Sequence, residues 1–190
     1  MTALDSQLVV IGASAGGIEA LSRVVASLPT DFPVPIVIAQ HLDPRRPSHL
    51  REILARHTSL AVKTVTQRAS LVPGAVYVVP ANRHVELTDR ELRLHQPTGG
   101  GIAPSVDVLL ESASKVFGAG LIAVILTGSG VWRARISRRW LGRRGSRCWA
   151  MTIGAGKSGG RLATTRDTAS IPPADAPITT SWVSEAVVTP

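Results

Sequence analysis

The stretch LVVIGASAGGIEAL, residues 8–21, decides the fold class, because a strand, a tight turn and a helix follow one another within it. Its first residues are apolar and mostly β-branched and stop at a glycine, which is typical of a buried strand. Apolar residues then recur at helical spacing: Ile18, Leu21, Val24, Val25 and Leu28. Between these segments lies Gly12-Ala13-Ser14-Ala15-Gly16. A strand that passes directly into a helix favours an α/β fold.

The same alternation continues along the chain. Buried strands are predicted at residues 7–11, 34–39 and 121–126, a short strand at 62–65, and helices at 17–28, 48–57 and 105–117. Ser48 and Ser105 are the expected N-caps, Val116 is placed on the buried face of the last helix, and Gly118 is expected to end it. Short alternating segments at 75–79, 84–87 and 91–95 predict a small antiparallel hairpin. We therefore expect a doubly wound, mainly parallel sheet with helices on both faces.

Ser14 has competing interpretations. G-x-S-x-G is the pattern of a nucleophilic serine on a strand-to-helix turn, whereas a Gly-rich loop at this place also binds phosphates and dinucleotides. The dinucleotide fingerprint needs a glycine where Ser14 stands and an acidic residue after the second strand, which here ends in Gln40-His41. No Gly-Lys-Ser/Thr follows the turn either. We therefore expect no bound cofactor.

A nucleophilic serine needs a base within hydrogen-bond reach, and His41 follows the next predicted strand. The carboxyl ends of parallel strands meet at one edge of a sheet, so Ser14, His41 and residues 127–130 should converge there. The alternative, in which Ser14 caps the helix and His41 is a turn residue, stays open. No histidine pair has metal-ligand spacing, and with a single cysteine, Cys148, there is no C-x-x-C spacing, so no metal is expected. The single cysteine also excludes an internal disulfide.

Charge and tryptophan are unevenly distributed. Residues 1–130 hold 11 Lys and Arg against 10 Asp and Glu, whereas residues 131–190 hold 10 against 3, together with all four tryptophans. We therefore divide the chain into a core, 1–130, and a divergent basic tail, 131–190. The N-terminus has no basic segment before its short apolar run, so we expect a cytoplasmic protein without membrane insertion.

Four segments resemble one known family: VVIGASAGGIEAL, IVIAQHLDP, LVPGAVYVVPANRHVEL and APSVDVLLESASKVFG…AVILTGSG. Together they cover about residues 7–130 and are similar to the catalytic domain of CheB, the chemotaxis protein-glutamate methylesterase. The resemblance implies hydrolysis of glutamate methyl esters on the cytoplasmic helices of chemoreceptors, and deamidation of glutamine. It also implies that Ser14 is the nucleophile and His41 its base, with backbone N–H groups near the nucleophile turn and residues 127–130 as candidates for binding the oxyanion.

The resemblance fails where the family carries the aspartate that orients the histidine, because Trp132 stands there. We therefore expect impaired esterase activity. The alternative is a catalytically dead CheB-like module that still binds receptors or signalling partners. The resemblance also implies regulation by a receiver domain, which we expect on a separate protein.

The tail begins with seven arginines and no acidic residue between positions 133 and 147, and it shows no strand there. An arginine patch for nucleic acid is one interpretation, but it leaves the lost motif unexplained, and we do not expect a nucleic-acid partner. A shift of the reading frame in the gene explains the lost motif better. The codons of Trp132-Arg133, read one base later, can encode the start of Gly-Ala, the dipeptide that follows the aspartate in the family. We expect the tail to be partly disordered, above all residues 171–190, and the sheet edge beside residues 121–126 to be uncovered.

Overall fold

The computed structural model describes residues 7–14, 17–41, 45, 47–97 and 103–127, together with two later strands. The strands are β1 Leu8–Ala13, β2 Ile36–Gln40, β3 Ala61–Thr64, β4 Arg68–Ser70, β5 Ala75–Val78, β6 His84–Thr88, β7 Glu91–His95, β8 Leu121–Thr127, β9 Arg147–Thr152 and β10 Leu162–Thr164. The helices are α1 Gly17–Ala26, α2 Leu50–Ala55 and α3 Val106–Phe117.

Seven strands form the main sheet, in the order β10-β9-β8-β1-β2-β5-β3. Every pairing in it is parallel except that of β10 with β9. All six residues of β1 are buried, as expected for a central strand that is covered on both faces. The fold class predicted from the sequence, a mainly parallel sheet between helices with a small antiparallel unit, is confirmed.

The two faces of the main sheet are covered by different elements. Alternate residues of β1 and β2 pack with α1 and α2 in one apolar cluster, which includes Leu21 and Leu54. The other residues of the same strands pack with α3 and the small sheet in a second cluster, which includes Leu109 and Leu92. The period of two along each strand therefore sends one side chain to each layer.

The small sheet differs from the predicted hairpin. β6 and β7 pair in antiparallel fashion as expected, but their third strand is β4, in the order β4-β7-β6. The prediction that residues 75–79 belong to this unit is wrong, because β5 lies in the main sheet between β2 and β3. All four residues of β5 are buried, so this apolar run has the character of an internal parallel strand.

The helix ends also test the sequence patterns. Ser105 caps α3 as predicted, since its Oγ accepts a hydrogen bond from Val108 N at 3.4 Å, and Gly118, at φ 50°, ends that helix. Ser48 is not the N-cap of α2; that position is His49, although Ser48 Oγ accepts from Leu50 N at 3.3 Å.

The assignment of Val116 to the buried face of α3 is wrong. Val116 is 38% exposed, whereas Phe117 is 8% exposed and belongs to the core. The ring of Phe117 also contacts the Arg90 guanidinium, 5.2 Å from its centroid. At 100° per residue, regular helical spacing places residue 117, and not residue 116, on the side of the helix that buries Val106, Leu110 and Ala113.

The edge of β8 is paired, contrary to expectation. β9 runs parallel to β8 from Ile122↔Arg147 to Thr127↔Thr152, so the hydrogen-bonding groups on that side of β8 have a partner strand. The sequence pattern predicts no strand in residues 133–147, and β9 begins only at residue 147. The expectation of disorder in residues 171–190 concerns a segment outside the described residues.

Candidate active site

The nucleophile candidate and the base candidate lie side by side at one end of the main sheet. Ala13, the last residue of β1, is in register with Gln40 of β2 and with Leu126 of β8. The next residues are therefore Ser14, His41 and Thr127, at the carboxyl ends of three adjacent parallel strands. Neighbouring strands are about 4.8 Å apart, so the backbones of Ser14 and His41 are within side-chain reach of each other.

Ser14 is held in a tight turn directly after β1. It is 8% exposed, and its carbonyl oxygen accepts a hydrogen bond from Gly17 N at 2.8 Å, which closes the turn into α1. A Cβ at Gly17 would lie 2.8 Å from Ala13 Cβ, closer than two carbon atoms can approach. Glycine at position 17 is thus required for the close packing of α1 against β1, whether or not a phosphate ever binds there.

Gly12 has a similar role on the other face of the sheet. A Cβ at this position would lie 2.9 Å from Val106 Cγ1 and 3.1 Å from Ile125 Cδ1. The missing side chain lets the first turn of α3 pack onto β1. Gly12 and Gly17 therefore both serve helix packing, and the packing on Gly12 brings the start of α3 to the end of the strands.

His41 is fixed by two hydrogen bonds from different parts of the chain. Its backbone N donates to Ala13 O at 3.1 Å, and its ring Nε2 lies 2.8 Å from Pro104 O. A carbonyl oxygen only accepts, so this bond places the ring proton on Nε2. The other nitrogen, Nδ1, then holds the lone pair and is the atom able to accept a proton.

Burial lowers the pKa of His41 below its ordinary value of 6.5, and the hydrogen bond to Pro104 partly opposes this shift. Desolvation has this sign because an apolar environment disfavours the charged imidazolium. The neutral ring, which is the form a general base needs, therefore prevails at pH 7.

A second histidine lies on the far side of the same peptide group. Ser105 N, the amide that follows the Pro104 carbonyl, donates to His84 Nδ1 at 3.1 Å. The sequence pattern carries no sign of a role for Pro104. Its contribution is a backbone carbonyl, and side-chain patterns carry no signal for such a group.

His95 lies away from this cluster at the exposed end of the hairpin, with its Nε2 3.6 Å from Glu86 Oε2. Trp132 and residues 128–130, the expected positions of the lost aspartate and of part of the oxyanion site, lie outside the described residues. Within the described ranges, no three His, Cys, Asp or Glu side chains are grouped to hold a metal ion. In those same ranges, no helix has both the length and the apolar character needed to cross a bilayer.

The family model of the CheB methylesterase matches residues 9–131. The chain belongs to the CheB methylesterase family. This match covers both site candidates and the strands from β1, except its first residue, to β8. The resemblance inferred from the four sequence segments is thereby confirmed.

CheB relatives share the same region. "Protein-glutamate methylesterase/protein-glutamine glutaminase 1" of Carboxydothermus hydrogenoformans is 41% identical over 131 residues, 65% of this chain and 38% of that protein. "Protein-glutamate methylesterase/protein-glutamine glutaminase" of Thermotoga maritima is 33% identical over 133 residues, 67% of this chain and 39% of that protein. A relative from Leptospira interrogans is 37% identical over 129 residues, 66% of this chain and 66% of that protein. The chain thus spans at most about two thirds of these CheB relatives.

A solved structure supports the fold. The crystal structure of the Thermotoga maritima CheB methylesterase catalytic domain superposes with a TM-score of 0.67 at 30% identity, covering 75% of this chain and 77% of that domain. The parallel sheet with its flanking helices is therefore the CheB catalytic-domain fold.

Proposed function

We propose that this chain is a protein-glutamate methylesterase in which Ser14 is the nucleophile and His41 the general base. The observation that carries the proposal is the register of β1 and β2, which sets the two residues next to each other at the carboxyl edge of the sheet. The relatives named as methylesterases match over this same region. The expected substrate is the glutamate methyl ester, or the glutamine, of a chemoreceptor segment in the cytoplasm.

The reaction begins when His41 Nδ1 removes the Ser14 hydroxyl proton and Oγ forms a bond to the ester carbonyl carbon. The tetrahedral intermediate then collapses, and its C–OCH₃ bond breaks. The departing methoxide takes the proton from the imidazolium and leaves as methanol. Water, deprotonated by the same ring, attacks the acyl-enzyme and releases the glutamate carboxylate and Ser14. For glutamine the leaving group is ammonia.

Pro104 provides part of what the family aspartate supplies. In the serine-protease triad, replacing Asp by Asn costs about 10⁴ in kcat, because the histidine then adopts the wrong tautomer. The Pro104 carbonyl only accepts and so keeps the proton on Nε2. It lacks the negative charge that stabilises the imidazolium. We therefore expect an impaired enzyme whose loss, relative to an intact relative, is smaller than that factor of about 10⁴.

Substitution of Ser14 tests the proposal. We expect Ser14→Ala to lower methanol release from a glutamate-methylated receptor peptide by about 100-fold or more, since no nucleophile remains. Ser22→Ala is the matched control, because Ser22 is also 8% exposed but lies within α1 and not at the end of a strand. Equal turnover in the two variants would show that Ser14 is not the nucleophile.

The second candidate, a non-catalytic module that binds receptor, is favoured by Trp132 in the position of the aspartate. It predicts no measurable methanol release from the unsubstituted chain and the same receptor affinity before and after Ser14→Ala. The esterase predicts turnover that disappears with the hydroxyl. One set of purified proteins, assayed for methanol release and for binding, decides between the two.

A further inference from the structure

We propose that His84 is a positioning residue for His41, and that it acts through the peptide group that joins Pro104 to Ser105. The inference rests on the proposed function, in which His41 is the base. It adds a histidine from the hairpin to a site otherwise built from the ends of parallel strands.

The geometry is a bridge of two hydrogen bonds on one peptide group. His41 Nε2 lies 2.8 Å from Pro104 O, and Ser105 N lies 3.1 Å from His84 Nδ1. That carbonyl and that N–H are the two ends of a single planar, resonance-coupled unit. Pro104 is buried, and both histidines are partly buried, so water competes weakly for this unit.

Resonance makes the two bonds cooperative. When the Ser105 N–H donates to His84, electron density in the peptide group moves toward the Pro104 oxygen, which then becomes a better acceptor for His41. A better acceptor holds the imidazole more firmly with its proton on Nε2. It also stabilises the imidazolium, because the bond to Pro104 is the interaction that raises the pKa of His41.

His84 also fixes where the peptide group lies. It opens β6, whose next residues pack against α3, and it receives its hydrogen bond from the N-cap residue of that helix. A second bond, from Leu87 N to Ser112 Oγ at 3.0 Å, attaches the far end of β6 to α3. Both of these hydrogen bonds join β6 to the helix or its N-cap, but only the one at His84 involves the peptide group that contacts His41.

A purely structural attachment is the competing explanation, and the chain supplies a control for it. Ser112→Ala removes the second attachment without touching the peptide group beside His41. His84→Asn keeps an acceptor at the place of Nδ1, whereas His84→Gln moves the acceptor outward and His84→Leu removes it. If His84 only fastened the hairpin, His84→Leu and Ser112→Ala would have equivalent consequences.

The test measures the pH dependence of esterase kcat in the full chain, and the titration and tautomer of His41 by ¹⁵N NMR. In His84→Leu and His84→Gln we expect kcat to fall by about 10-fold, the lower end of the loss found when a metal-binding histidine loses its hydrogen-bond partner. The acid limb of the pH profile and the His41 titration should move to lower pH. His84→Asn should restore both, and Ser112→Ala should lower only the melting temperature.

The inference is overturned if the His41 titration and tautomer are the same in all folded His84 variants, or if Ser112→Ala moves them equally. Should His84→Leu fail to fold, His84→Asn and His84→Gln give the same decision. Because the NMR measurement needs no turnover, it also separates this inference from the proposed function. An inactive chain whose His41 still responds to His84 would refute the esterase and leave the bridge standing.

Discussion

The two faces of the main sheet contain similar amounts of buried apolar side chain but differ in polar contacts. On the α1 and α2 face, the core cluster is joined by apolar packing, and the buried polar residues beside it include Gln40 and Ser22, which are 2% and 8% exposed. On the α3 face, side chains bond across elements: His41 to Pro104, Ser105 to His84 and Leu87 to Ser112. One layer stabilises the sheet, and the other also orients the groups proposed to carry out the reaction.

Truncating a buried leucine in each layer gives the largest contrast. Leu54 on α2 and Leu109 on α3 are both 0% exposed. Each Leu→Ala change should lower the free energy of unfolding by about 2–5 kcal/mol. Well below the melting temperature, Leu109→Ala should also lower kcat, because α3 carries the peptide group that holds His41. Chemical denaturation with esterase assays checks both, and equal kcat in the two variants would remove the functional distinction between the faces.

Gly12→Ala gives a smaller effect on the α3 face. The new Cβ would lie 2.9 and 3.0 Å from the two methyl carbons of Val106, a β-branched side chain with little freedom to rotate away. We expect a loss of about 1–3 kcal/mol in unfolding free energy from this overpacking, with α3 displaced from β1. The hydrogen bond from His41 Nε2 to Pro104 O should weaken together with this loss of stability, and ¹⁵N NMR of His41 measures the weakening. If Gly12→Ala kept the wild-type stability, Val106 would move aside without cost, and close packing would not require glycine at position 12.

The pH dependence gives the smallest effect. Because burial lowers the pKa of His41, kcat/KM should fall as the pH decreases, with the midpoint of the fall below 6.5. The free energy of unfolding should also decrease as the pH falls below 6.5, since the unfolded chain then binds the His41 proton more readily than the folded chain. The stability that neutral His41 contributes at higher pH is lost as the pH falls through the folded-state pKa. A midpoint at or above 6.5 in the rate profile would contradict a desolvated base.

Parts of this arrangement could be predicted from local pattern alone. The period of apolar residues located α1 and α3, and the Ser105 cap and Gly118 fixed the ends of α3. Other parts could not, because residues 75–78 have the same short apolar character whether they pair in a hairpin or in the interior of a parallel sheet. Only the available partner strands distinguish the two.

The sequence by itself determined the fold class, the serine in its glycine-bounded turn, and a histidine at the end of the next strand, because these depend on residue type and spacing. The tertiary structure decided which nitrogen of that histidine bears the proton and what holds it there. The acceptor is a backbone carbonyl 63 residues further along the chain, brought near by α3 packing on Gly12. Every residue has a carbonyl, so folding alone selects the one that contacts His41.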